Sequence, residues 1–146
     1  MAKIRKTIKK DLKEIGKLML KEFSKSPSNE KAKLKDVLKS LEFYFKIGKI
    51  YIVTDKKEIV GVLVFKIEQY WEGQVLIIED LAVKENFKKK GIGKSLMKFA
   101  EDYAKERGIK KILFATNKKS PSVDFYKKIG YKISKDRIEM SKKIKR

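Results

Sequence analysis

The chain has 146 residues, a formal net charge of +20 at pH 7, and neither cysteine nor histidine. These absences exclude disulfides, thiolate chemistry and Ser-His or Cys-His catalysis, and they count against zinc, so no metal is expected. The composition is uniform, which predicts a single domain over residues 1–146, and no apolar run suits a signal region or a membrane span, so we expect a cytoplasmic protein without membrane contact.

The positive charge raises nucleic acid as a partner, because lysines that neutralise phosphates release counterions. The charge is nearly all lysine and is spread evenly along the chain, whereas proteins that read base edges rely on arginine. Nucleic acid therefore stays open as a partner but is not favoured.

The first half of the chain predicts a strand, two helices and a β-hairpin. In chain order these are residues 3–7 (strand), Asp11–Phe23 and Glu30–Ile47 (helices), and Lys49–Thr54 and Glu58–Ile67 (strands). Pro27 marks the loop at Ser24–Asn29, and Gly48 ends the second helix. The apolar spacing of that helix predicts a buried face made of Leu34, Val37, Leu38, Leu41 and Phe45.

The second half predicts a central strand, a long helix and a strand-helix-strand-strand ending. In chain order these are Val75–Val83 (strand), a helix that starts at Ile92 and stops at Gly108, Lys110–Thr116 (strand), a helix from Pro121 to Gly130, and Tyr131–Ile133 and Arg137–Ser141 (strands). Runs of strands and helices in this order predict an α+β fold. We expect a mixed, mostly antiparallel sheet of about six to seven strands flanked by about four helices.

The turn before the long helix carries the pattern basic-x-x-Gly-x-Gly in Lys88–Lys94. Glycines at a helix start let main-chain N–H groups approach an anion, and the helix dipole favours phosphate there. A Walker A loop would need glycine at Lys88, and a dinucleotide loop would need a third glycine where Leu96 stands. A tight turn without a ligand is the remaining alternative, because short glycine motifs are weak.

This loop after an acidic strand end resembles the coenzyme A loop of the GNAT superfamily of N-acetyltransferases, whose element order the chain matches over nearly its whole length. The resemblance implies that acetyl-CoA is the cosubstrate. It also implies that main-chain groups of the central strand hold the pantetheine arm and that the loop amides hold the pyrophosphate. The residues expected at the cofactor are Leu81, Ala82, Val83, Lys88, Lys89, Lys90, Gly91, Ile92, Gly93, Lys94 and Asn117, although Asn117 is more simply a turn residue.

A second block, Ser120–Tyr131, matches the GNAT helix whose tyrosine points at the thioester sulfur, and that tyrosine is Tyr126. A thiol titrates near ~8.5 and a phenol near ~10, so a phenol can hydrogen-bond a leaving thiolate and supply its proton as general acid. The alternative is that Tyr126 is a half-buried aromatic side chain that packs with Phe125.

A third block ends the central strand with Glu79-Asp80, and strand alternation predicts that these two carboxylates lie on opposite faces. An attacking ammonium must lose a proton, and a carboxylate can accept it or hold the cation. The acidic pair and the Pro-Ser before Phe125 resemble the spermidine/spermine N-acetyltransferase branch, in which the acid matching Glu79 is the base or the amine-binding group. A salt-bridged strand end is the alternative.

The expected function is transfer of an acetyl group from acetyl-CoA to a primary amine by direct attack, with Tyr126 as general acid and Glu79 as base or amine-binding group. The acceptor is a small-molecule or peptide amine, and a homodimer is possible. The alternatives are a non-catalytic CoA-binding or nucleic-acid-binding module with the same fold.

Overall fold

The computed structural model describes residues 2–25 and 31–145. Its strands are β1 (Lys3–Lys6), β2 (Lys49–Asp55), β3 (Glu58–Tyr70), β4 (Gly73–Val83) and β5 (Ile112–Leu113). Its α-helices are α1 (Leu12–Phe23), α2 (Leu34–Ile47), α3 (Ile92–Glu106) and α4 (Ser122–Lys128), and short 3-10 turns occupy Lys9–Asp11 and Glu85–Phe87.

The strands form one sheet in the order β1-β2-β3-β4-β5. The first four strands pair antiparallel, and β4 pairs parallel with β5. The α+β class and the mixed, mostly antiparallel sheet are therefore confirmed. None of the helices in the described ranges is long and apolar enough to cross a membrane.

Two hydrophobic clusters cover the two faces of the sheet. On one face α3 packs on β3 and β4 through Leu96, Met97 and Ala100, which are at most 1% exposed. On the other face α1 and α2 pack through Ile15 and Leu41, which are likewise at most 1% exposed. The apolar residues that recur with a 3.6-residue period, and so predict these helices, thus form the face that each helix buries.

A β-bulge interrupts β4 where it passes β3. Val64 pairs with Asp80 and Phe65 pairs with Ile78, so Glu79 is the extra residue. Before the bulge Ile78 packs on the α3 face, and after it Leu81 packs on the same face, although the two are three residues apart. The bulge therefore reverses the alternation of the strand at Glu79.

The expected sheet of six to seven strands is wrong, because the described residues form five. The strand predicted at Lys110–Thr116 is reduced to Ile112–Leu113, which pair with Leu76 and Ile77. Beyond these two pairs β4 bulges and separates from the segment that follows β5, so the described residues form no further β4–β5 pairs. The strands predicted at Tyr131–Ile133 and Arg137–Ser141 are not formed, since no described residue beyond Lys128 is in a strand.

The helix predicted at Glu30–Ile47 begins at Leu34, and Glu30 lies outside the described residues together with most of the loop predicted at Ser24–Asn29. Its predicted buried face is wrong at one position. Phe45 is 36% exposed, and Tyr44 packs against the α1–α2 cluster instead. Tyr44 is three residues after Leu41, and an i, i+3 step keeps it on the same helix face.

Candidate functional site

The separation of β4 and β5 opens a cavity of about 280 Å³ through the sheet. One wall is β4 from Ile78 to Leu81, and the opposite wall is the chain from Phe114 to Asn117. Beyond Ile77, β4 has no described partner strand on this side. Main-chain groups of Leu81, Ala82 and Val83 that point away from β3 therefore face the gap rather than a ladder.

The turn before α3 presents a row of main-chain amides. Ser95 N donates to Gly91 O at 2.9 Å and is the first amide of this helix with a hydrogen bond. Among the described residues, the six amides from Lys89 to Lys94 have no acceptor. Lys89 and Gly91 have φ of 63° and 84°. Left-handed residues in a turn are typical of main-chain concavities that bind anions.

The turn, the end of β4 and α4 meet at Gly93. A Cβ atom built on Gly93 would lie 3.7 Å from Phe125 Cζ and 3.9 Å from Val83 Cγ2. The amide row is therefore next to the helix that carries Tyr126, although residues 88–94 do not themselves line the cavity. The three sequence blocks are brought together around one end of the sheet.

The side chain of Lys88 turns away from this row and joins an ion cluster. Its Nζ lies 2.7 Å from Glu22 Oε1 and 2.8 Å from Glu85 Oε2. Lys25 contacts the same two carboxylates at 3.2 Å and 3.1 Å. Burial lowers the pKa of Lys88, but the hydrogen bonds that Lys88 donates to Glu22 and Glu85 outweigh it and leave that pKa above its usual value. The cluster ties the loop to the end of α1.

Tyr126 lines the cavity from the α3–α4 side of the sheet. Its ring packs on Phe114, with the centroids 4.6 Å apart, and on Phe125 at 5.1 Å. Burial raises the pKa of Tyr126 to about 12. The hydroxyl therefore stays protonated at neutral and moderately alkaline pH, where it is a hydrogen-bond donor.

Glu79 and Asp80 enter the cavity from the α1–α2 side, so the prediction that they face opposite sides is wrong. The bulge places both carboxylates on one face, where Glu79 Oε1 lies 3.3 Å from Lys66 Nζ. Burial raises the pKa of Tyr44. The nearby Glu79 carboxylate accepts a hydrogen bond from the Tyr44 hydroxyl and raises that pKa further. Glu79 is thus held between a cation and a phenol, with a quarter of its side chain exposed.

A second cavity of about 220 Å³ adjoins the first, because Phe23 and Asp80 line both. Its other walls come from α1 and α2 and include Asp36 and Ser40. Sequence reasoning missed these residues and also Tyr44. The signal for Tyr44 was its spacing from Leu41, but Asp36 and Ser40 look like ordinary exposed helix residues in the sequence.

Asn117 has the turn role that its position predicts. Its Oδ1 accepts a hydrogen bond from Lys119 N at 2.9 Å, which closes a turn before α4, and the residue also lines the first cavity. The hydroxyls of Ser120 and Ser122 are 2.6 Å apart on the same wall. These two serines are further polar groups that the sequence did not single out as site residues.

Known proteins share both the sequence pattern and the fold. The model of the acetyltransferase (GNAT) family matches residues 13–131. A probable N-acetyltransferase 14 of Xenopus tropicalis is 30% identical over 101 residues, which cover 66% of this chain and 48% of that protein. A streptothricin acetyltransferase of Streptomyces lavendulae is 41% identical over 59 residues, or 40% of this chain and 31% of that protein.

The chain thus spans about half the length, or less, of these two relatives. The crystal structure of a possible acetyltransferase from Clostridium difficile 630 superposes with a TM-score of 0.87 at 16% identity and covers 99% of both chains. At that identity the likeness is one of fold, and it extends over the whole arrangement of sheet and helices described above.

Proposed function

Since this chain belongs to the acetyltransferase (GNAT) family, we propose that it transfers an acetyl group from acetyl-CoA to a primary amine by direct attack. The observation that carries this proposal is the row of six amides that find no acceptor in the described part of the chain. The row lies beside a cavity shared by a buried phenol and two carboxylates. Donors at a helix start suit the diphosphate of coenzyme A. Open main-chain groups of β4 suit the amides of its pantetheine arm.

Acetyl-CoA supplies a thioester whose carbonyl carbon accepts the amine nitrogen while the carbon–sulfur bond breaks. Tyr126 donates a hydrogen bond to the departing sulfur and can pass it the phenolic proton. A phenol with a pKa of about 12 is a weak acid, but the same buried surroundings also raise the pKa of the thiol and keep the two groups closer in strength. Hydrogen-bond donation throughout the step is therefore its main contribution.

Glu79 has a different task, which is to hold the amine. Its carboxylate already pairs with Lys66, and an incoming ammonium can share that carboxylate on its cavity side. The excess proton then leaves to Glu79 or through water to solvent. Because Asp80 lies in the same cavity, the two acids favour a cationic aliphatic amine over a neutral or acidic acceptor.

The test is an acceptor screen with acetyl-CoA, read by release of free thiol. The panel includes diamines, polyamines, streptothricin, amino acids and lysine peptides. The acidic pair and the Ser120–Tyr126 segment resemble the spermidine/spermine branch, so diamines and polyamines come first. Acceptor-dependent release, with mass spectrometry showing one acetyl group on the amine, supports the proposal. Binding of coenzyme A without release from any acceptor would instead indicate a non-catalytic module.

Two lysines of the loop should differ in their effect on the Michaelis constant for acetyl-CoA. The Lys88 ammonium is already paired with Glu22 and Glu85, so Lys88→Met should change that constant less than about twofold. Lys94 is exposed in the first turn of α3 and has no carboxylate partner among the described residues. Lys94→Met should raise the constant about fivefold, the effect of one charge near a helix start.

Steady-state kinetics of both variants at fixed ionic strength would measure this difference. The reverse ranking, with Lys88→Met the more damaging change, would mean that the cofactor draws Lys88 out of the ion cluster.

A further inference from the structure

The first part of the chain carries a run of exposed lysines, the lysine tract, which extends from β1 through the first 3-10 turn and along α1. Its members are Lys3, Lys6, Lys9, Lys10, Lys13, Lys17 and Lys21. Each of these residues is exposed, and none forms an ion pair with a carboxylate in the described part of the chain. The tract therefore presents its charge to solvent rather than to the protein.

The acidic residues of the same stretch do not offset this charge at the surface. Residues 2–21 contain two acids, Asp11 and Glu14. Asp11 is 7% exposed, and its Oδ2 lies 2.9 Å from Arg5 Nη1. Glu14 Oε2 accepts a hydrogen bond from Ile59 N at 3.0 Å, so this carboxylate is turned towards the sheet. Both acids serve the fold, which leaves the tract with charge of one sign.

The part of the tract on α1 forms a row. Lys13, Lys17 and Lys21 are four residues apart, so each step advances about 6 Å along the helix and returns to nearly the same side. The opposite side of α1 is in the core through Ile15 and Met19. Like charges at this spacing destabilise a helix, so a polyanion along the row would relieve a repulsion that α1 has in the free protein.

The exposed side of α3 shows that such a row does not follow from the lysine content alone. Glu101, Asp102 and Glu106 lie among its lysines, and Lys98 Nζ is 3.5 Å from Asp102 Oδ1. Mixed signs of this kind are typical of a solvated helix surface. The lysines are spread evenly along the sequence, but the placement of the acids leaves α1 with an unbroken positive surface.

We propose that the lysine tract binds the phosphate backbone of a nucleic acid. Lysine ammonium groups neutralise phosphates and release their counterions, which favours binding whatever the base sequence. Recognition of base edges depends mainly on arginine and amide side chains. The one arginine of residues 2–21 is Arg5, which is paired with Asp11. The tract is therefore a site that contacts the backbone and does not select a base sequence.

An anionic membrane is the other extended polyanion, but the tract suits it less well. Helices that lie on membranes carry large apolar side chains that enter the bilayer beside their lysines. Within residues 2–21, Ile8 is the one large apolar residue that is exposed, at 48%. The apolar residues of α1 face the core instead, so the tract offers charge with little apolar surface.

The test is fluorescence anisotropy of the full-length protein with labelled RNA and DNA strands of mixed sequence, between about 50 and 200 mM salt. Both strands should bind with dissociation constants of about 1–100 μM near 150 mM salt, the range for sequence-independent binding. The stronger of the two identifies the source of the phosphates. Saturating coenzyme A should not displace the strands, because no residue of the tract belongs to the loop proposed to hold its diphosphate.

Two triple variants with the same loss of charge locate the site. The first combines Lys13→Gln, Lys17→Gln and Lys21→Gln. The second combines Lys98→Gln, Lys105→Gln and Lys110→Gln, three exposed positions on α3 or just after it. The first variant should bind at least about tenfold more weakly and should reduce the slope of log affinity against log salt by about 2, since each contact with a single strand contributes about 0.7. The second should reduce that slope by less than about 1.

Circular dichroism should show both variants folded, because glutamine and lysine have similar helix propensities. Four results would overturn the proposal. One is that neither strand binds at about 100 μM protein near 150 mM salt. Another is equal weakening in the two triple variants, which would make net charge the cause. A third is displacement of the strands by coenzyme A, which would place them on the loop. The fourth is a first variant that loses binding to phosphatidylserine vesicles but keeps its affinity for both strands, which would assign the tract to a membrane. None of these readouts depends on acetyl transfer, so the proposed function stands or falls separately.

Discussion

Replacing Tyr126 by phenylalanine should lower the turnover number by about 100-fold or more, the usual contribution of a positioned proton donor. The ring packs on Phe114 and Phe125, and phenylalanine keeps those contacts while it removes only the hydroxyl. The affinity for coenzyme A, measured by calorimetry, should change less than about twofold, since in the proposed complex the loop amides hold the diphosphate. Unchanged turnover would show that Tyr126 does not assist the leaving sulfur.

Tyr131→Phe is the matched control for that variant. Tyr131 belongs to the same aromatic cluster, with its ring 6.2 Å from Tyr126, but its hydroxyl donates to Glu101 rather than to the cavity. Its turnover number should stay within a few-fold of the wild-type value.

The pH profile gives a second readout for Tyr126. Because burial raises its pKa to about 12, the phenol keeps its proton as the pH rises through the ordinary tyrosine value. The wild-type rate should therefore show no alkaline decline that belongs to Tyr126 below about pH 11. An alkaline limb near pH 9 that disappears in Tyr126→Phe would contradict the burial described here.

Replacing Phe65 by alanine should lower the free energy of unfolding by about 3–5 kcal/mol, the range for large buried aromatic side chains. Phe65 is fully buried at the centre of the sheet and packs on Tyr51 at 6.0 Å and on Tyr103 at 4.9 Å. No rearrangement of a flexible loop can fill that space, because β3 is paired on both sides. Urea denaturation followed by circular dichroism measures the loss.

Phe43→Ala is the control for this stability change. Phe43 lies on α2 with 54% of its surface exposed and makes an edge contact with Tyr44. Its loss should cost less than about 1 kcal/mol. Equal losses for the two variants would mean that the centre of the sheet relaxes around the missing ring.

The sequence predicted the helices and the antiparallel part of the sheet because those elements depend on local apolar periods. The long helix illustrates this, since apolar residues recur in its sequence at Leu96, Ala100 and Tyr103, and all three are buried. The turn before this helix could also be predicted from the sequence, because the left-handed backbone at Gly91, with φ of 84°, favours glycine.

What could not be predicted depends on contacts between distant parts of the chain. The bulge at Glu79 is fixed by the pairing of β3 with β4, and strand alternation alone put Glu79 and Asp80 on the wrong faces. Lys88 follows the pattern of a phosphate ligand, but it pairs with Glu22 of α1, which is distant from it in the sequence. The segment Arg137–Ser141 has a strand pattern at Ile138 and Met140, yet pattern alone does not say whether a neighbouring strand is available.

The bulge also limits how this protein can change its length. Removing Glu79 or Asp80 would restore simple alternation and would leave Leu81 and Val83 on the α3 face. The same deletion would remove the bulge and leave one carboxylate in the cavity instead of two. Insertions at the exposed β3–β4 turn, where Trp71 projects into solvent, would disturb neither. Natural variation in length among close homologues should therefore occur at that turn and avoid residues 78–81 of β4.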